Sequence, residues 1–173
     1  MKKELRKYAK ERRATLDLAS ISAKIVAKIM SMPEFQRAEN VLLFYPLKLE
    51  LNLLALCEGE KNYYLPRIDG DDLLICPYTC GDKLAISKFK TQEPICESIS
   101  NSKIDFAIIP CLMADKNKYR LGFGKGFYDR LIPKLSPDCV KICPLPESLI
   151  TENLPHEDFD AKVDFIVSEN QIY

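Results

Sequence analysis

The run of apolar residues at 41–45 (Val-Leu-Leu-Phe-Tyr) constrains the fold of this chain more than any other feature. A strand without a charged or strongly polar position is buried on both faces, which is typical of the central strands of a parallel sheet. Residues 104–109 predict a second buried strand, and residues 139–143 and 163–167 predict two more that alternate with helical segments. This alternation predicts an α/β protein of three layers, α/β/α, with a mostly parallel central sheet and an N-terminal helical segment.

Smaller elements are predicted between these strands. Apolar residues spaced three or four positions apart over 2–30 predict one long helix, or two helices with a break at residues 15–17. Pro33 predicts a short turn. The remaining predictions are a helix over 51–57, two strands at 63–67 and 73–76 around an Asp-Gly-Asp turn, an irregular segment over 83–94 and a helix over 127–135.

Length and composition favour a single domain, residues 1–173. With 47% hydrophobic residues the chain can bury a substantial core, and no repeat or linker divides it. The 25 basic and 25 acidic residues cancel, so no overall field favours nucleic acid or a membrane as a partner. The basic start is not followed by the apolar segment of a signal peptide, and a cytoplasmic location is expected.

Seven cysteines raise the questions of disulfides and of zinc. Their number is odd, no Cys-x-x-Cys spacing occurs, and His156 is the only histidine available to complete a site. Cys76, Cys111 and Cys143 lie inside apolar runs. We therefore expect most of the cysteines to be small buried residues with free thiols, and His156 to be a surface or capping residue.

Residues 120–130 (Arg-Leu-Gly-Phe-Gly-Lys-Gly-Phe-Tyr-Asp-Arg) contain three glycines at alternate positions. Glycine allows positive φ and lets backbone N–H groups approach an anion, while Arg120 and Lys125 supply countercharge. Asp129 adds a hard oxygen ligand for Mg²⁺. The loop is predicted at the carboxyl end of the strand at 104–109, where open α/β sheets bind ligands. The pattern therefore predicts a phosphate-binding loop.

The same residues also have a purely structural interpretation. The spacing is neither the dinucleotide-binding G-x-G-x-x-G nor a P-loop, because no Ser or Thr follows the lysine. By composition alone, the glycines are equally consistent with a tight turn in which Arg120 and Asp129 form a surface ion pair. The Lys and Arg residues near the N-terminus are by themselves typical of a solvated helix face.

As an exact string, residues 120–130 closely resemble the signature of the 5-formyltetrahydrofolate cyclo-ligase family. Further segments match that family in the same order along nearly the whole chain. They are residues 2–6 (K-x-x-L-R), 44–50, 65–67, 93–94 and 160–164. An ordered series of this kind is far more specific than a single glycine loop.

The resemblance implies ATP-dependent closure of 5-formyltetrahydrofolate to 5,10-methenyltetrahydrofolate, with release of ADP and phosphate and with Mg²⁺ as the metal. In the family the formyl oxygen is thought to be phosphorylated before N10 attacks the activated carbon. Catalysis of such a transfer consists mostly of positioning and charge neutralisation. The expected partners are two small molecules, 5-formyltetrahydrofolate and ATP. The oligomeric state is left open, with a monomer favoured.

The resemblance also implies roles for individual residues. Arg120 and Lys125 are implied as catalytic residues, and Asp129 and Asp160 as Mg²⁺ ligands, with Asp164 as the alternative to Asp160. The implied ATP-binding residues are Lys2, Arg6, Arg120, Leu121, Gly122, Phe123, Gly124, Lys125, Gly126, Phe127 and Tyr128. The implied substrate-binding residues are Tyr45, Glu50, Phe123, Gly124, Lys125, Gly126 and Phe127.

Two other classes of protein stay open at this stage. The chain is consistent with a different ATP-using enzyme, such as a small kinase or ligase, that shares only the phosphate loop. It is also consistent with a family member that has lost catalysis and binds folate or nucleotide without turnover. Four residues that match the family argue against such a loss, namely Glu50, Arg120, Asp129 and Asp160. A nucleic-acid-binding function is disfavoured, because the basic stretch at 2–13 has no pattern of interleaved aromatic residues.

Overall fold

The chain forms four α-helices, and the computed structural model describes all of residues 1–173. The break in the N-terminal segment falls where predicted, because the Asp17 side chain accepts a hydrogen bond from the Ser20 N–H and caps the second helix. The turn predicted at Pro33 is wrong, since this proline is the first residue of a short helix, where its missing N–H costs nothing. The helices are α1 (Lys2–Arg13), α2 (Leu18–Ser31), α3 (Pro33–Arg37) and α4 (Phe127–Leu131).

Six strands form the central sheet, in the order β11-β9-β6-β1-β2-β3. They are β1 (Asn40–Leu42), β2 (Asn62–Asp69), β3 (Asp72–Tyr78), β6 (Phe106–Ile108), β9 (Val140–Pro144) and β11 (Phe165–Val167). Every neighbouring pair is parallel except β2 with β3, which form the predicted hairpin around Gly70. β1 lies in the interior of the sheet, as its apolar sequence predicted.

Both faces of this sheet are buried, so the predicted three-layer α/β architecture is confirmed. In β1, Val41 packs on one face with Ile25 of α2 and Phe35 of α3. The neighbouring Leu42 packs on the opposite face with Ala9 of α1 and Leu131 of α4. This alternation follows from the period of two along a strand and explains why the buried strands contain almost no polar residue.

Two smaller sheets were not predicted. Residues 83–94 form a hairpin of β4 (Leu84–Ile86) and β5 (Gln92–Pro94) instead of an irregular segment. A second sheet has the order β10-β7-β8 and consists of β7 (Met113–Asp115), β8 (Arg120–Leu121) and β10 (Ile150–Thr151). The glycine-rich loop therefore follows the β7–β8 hairpin and not, as predicted, the end of β6.

Two predicted helices are shorter than the sequence suggested. Residues 51–57 contain only a 3-10 helix, Leu54–Glu58, and α4 ends in a further 3-10 turn at Ile132–Lys134. No helix of the chain is both long enough and apolar enough to cross a membrane. All seven cysteines are free thiols, and five of them are buried, in agreement with the prediction.

Candidate functional site

One large cavity, of about 610 Å³, lies beside the glycine-rich loop. Its walls come from α1, the segment after β1, the β4–β5 hairpin, the loop between β8 and α4, and residues 157–160. Every residue that the resemblance implied for ATP, substrate or metal lines this cavity. These residues are Lys2, Arg6, Tyr45, Glu50, Arg120, Leu121, Gly122, Phe123, Gly124, Lys125, Gly126, Phe127, Tyr128, Asp129 and Asp160. Their individual roles stay predictions.

The glycine-rich loop has a backbone that only glycine adopts without strain. Gly124 has φ 102° and Gly126 has φ 69°, both in the region that side chains with a Cβ avoid. Arg6 packs directly on this loop, because its Nε donates a hydrogen bond of 2.9 Å to the Gly122 carbonyl. A Cβ at position 124 would lie 3.3 Å from the Arg6 guanidinium carbon. Because the glycines have no side chains, α1 packs closely on the loop, and its Lys and Arg residues line the cavity.

Arg120 and Asp129 form an ion pair at the base of the cavity. The Arg120 Nη2 donates to Asp129 Oδ1 at 2.7 Å, and the two side chains are 2% and 23% exposed. The alternative interpretation of this pair as a surface contact is therefore wrong. The Arg120 Nε has no hydrogen-bond partner although it is fully enclosed. Such a guanidinium keeps its charge and attracts an anion strongly in the low dielectric of the interior.

Lys2 forms the second ion pair of the cavity, nearer its rim. Its Nζ lies 2.7 Å from Asp160 Oδ2 and 3.2 Å from Glu157 Oε1. Burial opposes the charge on Lys2, but its hydrogen bonds to Asp160 and Glu157 outweigh this effect and raise the pKa of the amine. Burial likewise acts to raise the pKa of Asp160, yet the Lys2 ammonium and the Glu157 N–H lower it overall. Both groups are therefore charged at neutral pH.

The two carboxylates implied as Mg²⁺ ligands come from distant parts of the chain and meet at this cavity. The Ala161 N–H, next to Asp160, donates to Asp129 Oδ1 at 3.4 Å. Asp164 does not line the cavity; its carboxylate accepts from the backbone N–H of Lys141 at 2.7 Å. No cluster of three or more protein ligands occurs. Two carboxylates with room for other ligands suit Mg²⁺, which in proteins is usually held by one or two carboxylates together with water and phosphate oxygens.

Aromatic and acidic residues line the same cavity. Tyr45 and Glu50 come from the segment after β1, and Phe127 comes from α4. Glu50 Oε2 accepts a hydrogen bond from the Leu47 N–H at 2.8 Å. Burial raises the pKa of Glu50, against the lowering effects of that hydrogen bond and of the Arg13 charge. A carboxylate held in such a place is suited to accept N–H groups from a flat heterocycle.

Several cavity residues were missed by the sequence analysis. Lys10 lies one helical turn beyond Arg6 on α1, and the four-residue spacing of Lys2, Arg6 and Lys10 was a signal that could have found it. Phe89 belongs to the unpredicted β4–β5 hairpin, so no signal pointed to it, whereas Glu93 lies in the segment 93–94 that matched the family but was given no role. The Phe89 ring meets the Phe127 ring edge to face at 5.9 Å, and Lys125 Nζ lies 5.5 Å from the Phe89 centroid.

Arg13 and His156 support the site from outside it. Arg13 is buried at the end of α1, where its guanidinium donates to the carbonyls of Leu49 and Cys111. This contact fixes the segment that carries Glu50. His156 is on the surface, as predicted, and stacks on Tyr119 with ring centroids 3.8 Å apart. The stack ties residues 154–160 to the strand that begins with Arg120.

Comparison with known proteins gives a consistent result. A profile of the 5-formyltetrahydrofolate cyclo-ligase family matches residues 1–169. A protein of Schizosaccharomyces pombe named probable 5-formyltetrahydrofolate cyclo-ligase is 28% identical, with 91% of this chain and 87% of that protein covered. The 5-formyltetrahydrofolate cyclo-ligase of Escherichia coli K12 is 26% identical, with 84% of this chain and 86% of that protein covered.

Solved structures share the fold over the whole chain. The NMR structure of 5,10-methenyltetrahydrofolate synthetase from Aquifex aeolicus superimposes with a TM-score of 0.88 at 31% identity, covering 99% of this chain and 91% of that one. The 5,10-methenyltetrahydrofolate synthetase of Mycoplasma pneumoniae gives a TM-score of 0.78 at 22% identity, with 97% and 98% covered. The second likeness is evidence for the fold alone.

Proposed function

Because the chain belongs to the 5-formyltetrahydrofolate cyclo-ligase family, whose members are ligases, we propose that it converts 5-formyltetrahydrofolate to 5,10-methenyltetrahydrofolate. The reaction consumes MgATP and releases ADP and phosphate. A single domain, residues 1–173, carries it out in the cytoplasm. One observation carries the proposal: all the residues implied by the sequence resemblance, from Lys2 to Asp160, line one cavity.

The cationic end of the cavity suits the triphosphate of ATP. Five basic side chains converge there from α1 and the glycine-rich loop, and the loop offers backbone N–H groups at Gly122, Gly124 and Gly126. Hydrogen bonds from such cations to phosphate are stronger than those between neutral groups. A glycine loop also lets phosphate oxygens come close to its backbone N–H groups. The five basic residues are Lys2, Arg6, Lys10, Arg120 and Lys125.

Asp129 and Asp160 are the proposed ligands of Mg²⁺. When bound, the ion neutralises phosphate charge during transfer. Both carboxylates are paired with a cation, at 2.7 Å in each case. In a complex with MgATP these two carboxylates would hold the ion, and phosphate oxygens would take their place as partners of Arg120 and Lys2.

The folate bicycle is proposed to occupy the aromatic and acidic end. Glu50 accepts hydrogen bonds from pterin N–H groups, and Tyr45 and Phe127 stack on or border the ring system. Phe123 lines the cavity between the two ends and is 39% exposed, which leaves it free to cover a bound ligand. The formyl group then faces the glycine-rich loop, where the γ-phosphate lies.

The chemistry needs two bonds to form in sequence. The formyl oxygen attacks the γ-phosphorus and ADP leaves. N10 then attacks the activated carbon and loses its proton, and phosphate departs with the former formyl oxygen. Arg120 and Lys125 stabilise the charge on the transferred phosphoryl group, which is worth roughly 2.7–4 kcal/mol for one well-placed donor. The walls of the cavity also limit the access of water to the phosphorylated intermediate.

The direct test is absorbance at the methenyl-folate band after purified protein is mixed with 5-formyltetrahydrofolate and MgATP. We expect a rise that depends on both the protein and ATP. A folded protein that binds ATP but not the folate and gives no rise would contradict the proposal and favour another ATP-dependent enzyme. Thermal stabilisation by 5-formyltetrahydrofolate, again without a rise, would indicate a binding-only protein.

A further inference from the structure

Glu93 is a buried carboxylate of the cavity wall to which the proposed reaction gives no role. It lies on β5 within the β4–β5 hairpin and is only 7% exposed. The carboxylate accepts one hydrogen bond within the protein, from the Thr91 hydroxyl to Oε1 at 2.8 Å. Charged residues are almost never buried to this extent unless they are paired, so the carboxylate needs an explanation.

The carboxylate has unused acceptor capacity that faces the cavity. An ionised carboxylate offers about four acceptor positions, and the protein fills one of them. Oε2 has no hydrogen-bond partner, yet it is not among the fully enclosed atoms that lack one, which are the Nε atoms of Arg13 and Arg120. Oε2 is therefore not sealed off, and Glu93 lines the cavity, so a ligand there is the partner within reach.

No cation of the protein balances this charge. The nearby Arg67 guanidinium donates to the backbone carbonyl of Pro94 and makes no ion pair with Glu93. The cavity cations instead lie on α1 and the glycine-rich loop, and Arg120 and Lys2 are already paired there. A phosphate would be repelled by Glu93, whereas a neutral ligand rich in N–H donors would be attracted.

We propose that Glu93 is a second folate anchor, which accepts a hydrogen bond from an N–H group of the bound reduced folate. The inference rests on the proposed function and deepens it. Glu50 and Glu93 come from different walls, so together they hold a flat donor-rich ligand at two points. Tetrahydrofolates carry more ring N–H groups than oxidised folate, and a second carboxylate therefore favours the reduced form.

The competing explanation is that Glu93 stabilises the turn of the β4–β5 hairpin. Thr91 Oγ1 is also 2.6 Å from Ser87 Oγ, and this chain of hydroxyls closes the turn that holds Phe89 over the cavity. Glu93→Gln keeps the oxygen that accepts from Thr91 but removes the charge. Thr91→Val does the opposite, because it removes the fastening bond and keeps the carboxylate. The two variants therefore separate the two roles.

The experiment is calorimetric titration of wild type, Glu93→Gln and Thr91→Val with 5-formyltetrahydrofolate and, separately, with ATP. We expect Glu93→Gln to weaken folate binding by about tenfold or more, the usual loss for a hydrogen bond to a charged group. ATP binding should stay unchanged. Thr91→Val should weaken folate binding by less than about threefold. Glu93→Asp keeps the charge, and its affinity for the folate should lie between those of Glu93→Gln and Thr91→Val.

The inference is overturned if Glu93→Gln binds the folate as wild type does, or if Thr91→Val weakens binding as much as Glu93→Gln. An equal loss of ATP and folate binding in Glu93→Gln would also overturn it, because the residue would then act on the whole cavity. Thermal unfolding of each variant shows whether it is folded. Formation of the methenyl product by wild type tests the proposed function separately, so the two failures are distinguishable.

Discussion

The cavity contains two ion pairs of the same length in very different surroundings. Arg120–Asp129 and Lys2–Asp160 both measure 2.7 Å. The Arg120 and Asp129 side chains are 2% and 23% exposed, whereas those of Lys2 and Asp160 are 24% and 14% exposed. The residues of the first pair are nine positions apart in the chain, and those of the second are 158 apart. The cation is therefore the enclosed member of the first pair and the more exposed member of the second.

The difference lies mainly in the two cations, because Arg120 is almost fully enclosed and Lys2 is not. Breaking a fully buried pair leaves an uncompensated charge and costs about 3–5 kcal/mol, whereas a fully exposed pair contributes about 0–1 kcal/mol. Both pairs lie between these limits, and we expect the loss of Arg120 to cost more stability than the loss of Lys2. Four predictions test this contrast.

The largest effect is expected at Arg120. Arg120→Ala should lower turnover by about 100-fold or more and should also lower the melting temperature, because Asp129 loses its partner. The double variant Arg120→Ala/Asp129→Asn removes the uncompensated charge and should recover stability without recovering turnover. Thermal unfolding and the methenyl-folate assay measure both properties. Recovery of activity together with stability would mean that Arg120 has only a structural role.

The next largest effect is expected from the two proposed metal ligands. Asp129→Asn and Asp160→Asn should each raise the Mg²⁺ concentration needed for half-maximal activity, by about 10- to 100-fold. Asp164→Asn is the matched control, because that carboxylate lies outside the cavity and bonds the Lys141 N–H. If neither cavity variant alters the Mg²⁺ dependence, the metal assignment is wrong.

A smaller effect is expected at the rim. Lys2→Met should raise the KM for ATP by about tenfold, the loss of one charge-assisted hydrogen bond, and should change the melting temperature by less than about 2 °C. Lys3→Met is the control, since this neighbouring lysine is exposed and does not line the cavity. If Lys2→Met lowered the melting temperature as much as Arg120→Ala, the two ion pairs would contribute equally to stability and the prediction would be wrong.

The smallest effect concerns Glu50, a cavity carboxylate whose pKa burial raises above its usual value of 4.5. Its folded form binds a proton more tightly than the unfolded chain, so ionisation of Glu50 lowers stability as pH rises through the folded pKa. Glu50→Gln should therefore have the higher melting temperature at neutral pH. The advantage should vanish below the unfolded pKa, where the carboxyl is protonated in both states. The measurement is the melting temperature of wild type and of Glu50→Gln between pH 3 and pH 8. Equal melting temperatures of the two proteins at neutral pH would contradict the prediction.

The sequence was most informative where burial and chemistry agree. The strands β1, β6, β9 and β11 were predicted because apolar runs are typical of strands buried on both faces. The break before α2 was predicted at residues 15–17, and in the structure Asp17 is the N-cap of that helix. The cavity residues were predicted because several segments between residues 2 and 164 resemble those of one family in the same order.

The missed elements have physical causes in the sequence. Strands β7, β8 and β10 contain two or three residues each, and β10 pairs with β7 across 36 positions, which leaves no local pattern to detect. The β4–β5 hairpin is short and has no regular alternation of buried and exposed residues. Phe89 was missed for this reason, whereas Glu93 was part of the family match at 93–94 but was given no role. Arg13 was missed because the basic stretch at 2–13 is by itself typical of a solvated helix face.

The contact between Lys2 and Asp160 also has a consequence for synthesis on the ribosome. At about 5–20 residues per second, α1 emerges many seconds before the segment that carries Asp160. During that interval Lys2 is without its partner, and the wall of the cavity formed by residues 157–160 does not exist. The cavity is therefore completed only late in synthesis, after the central strands that support it.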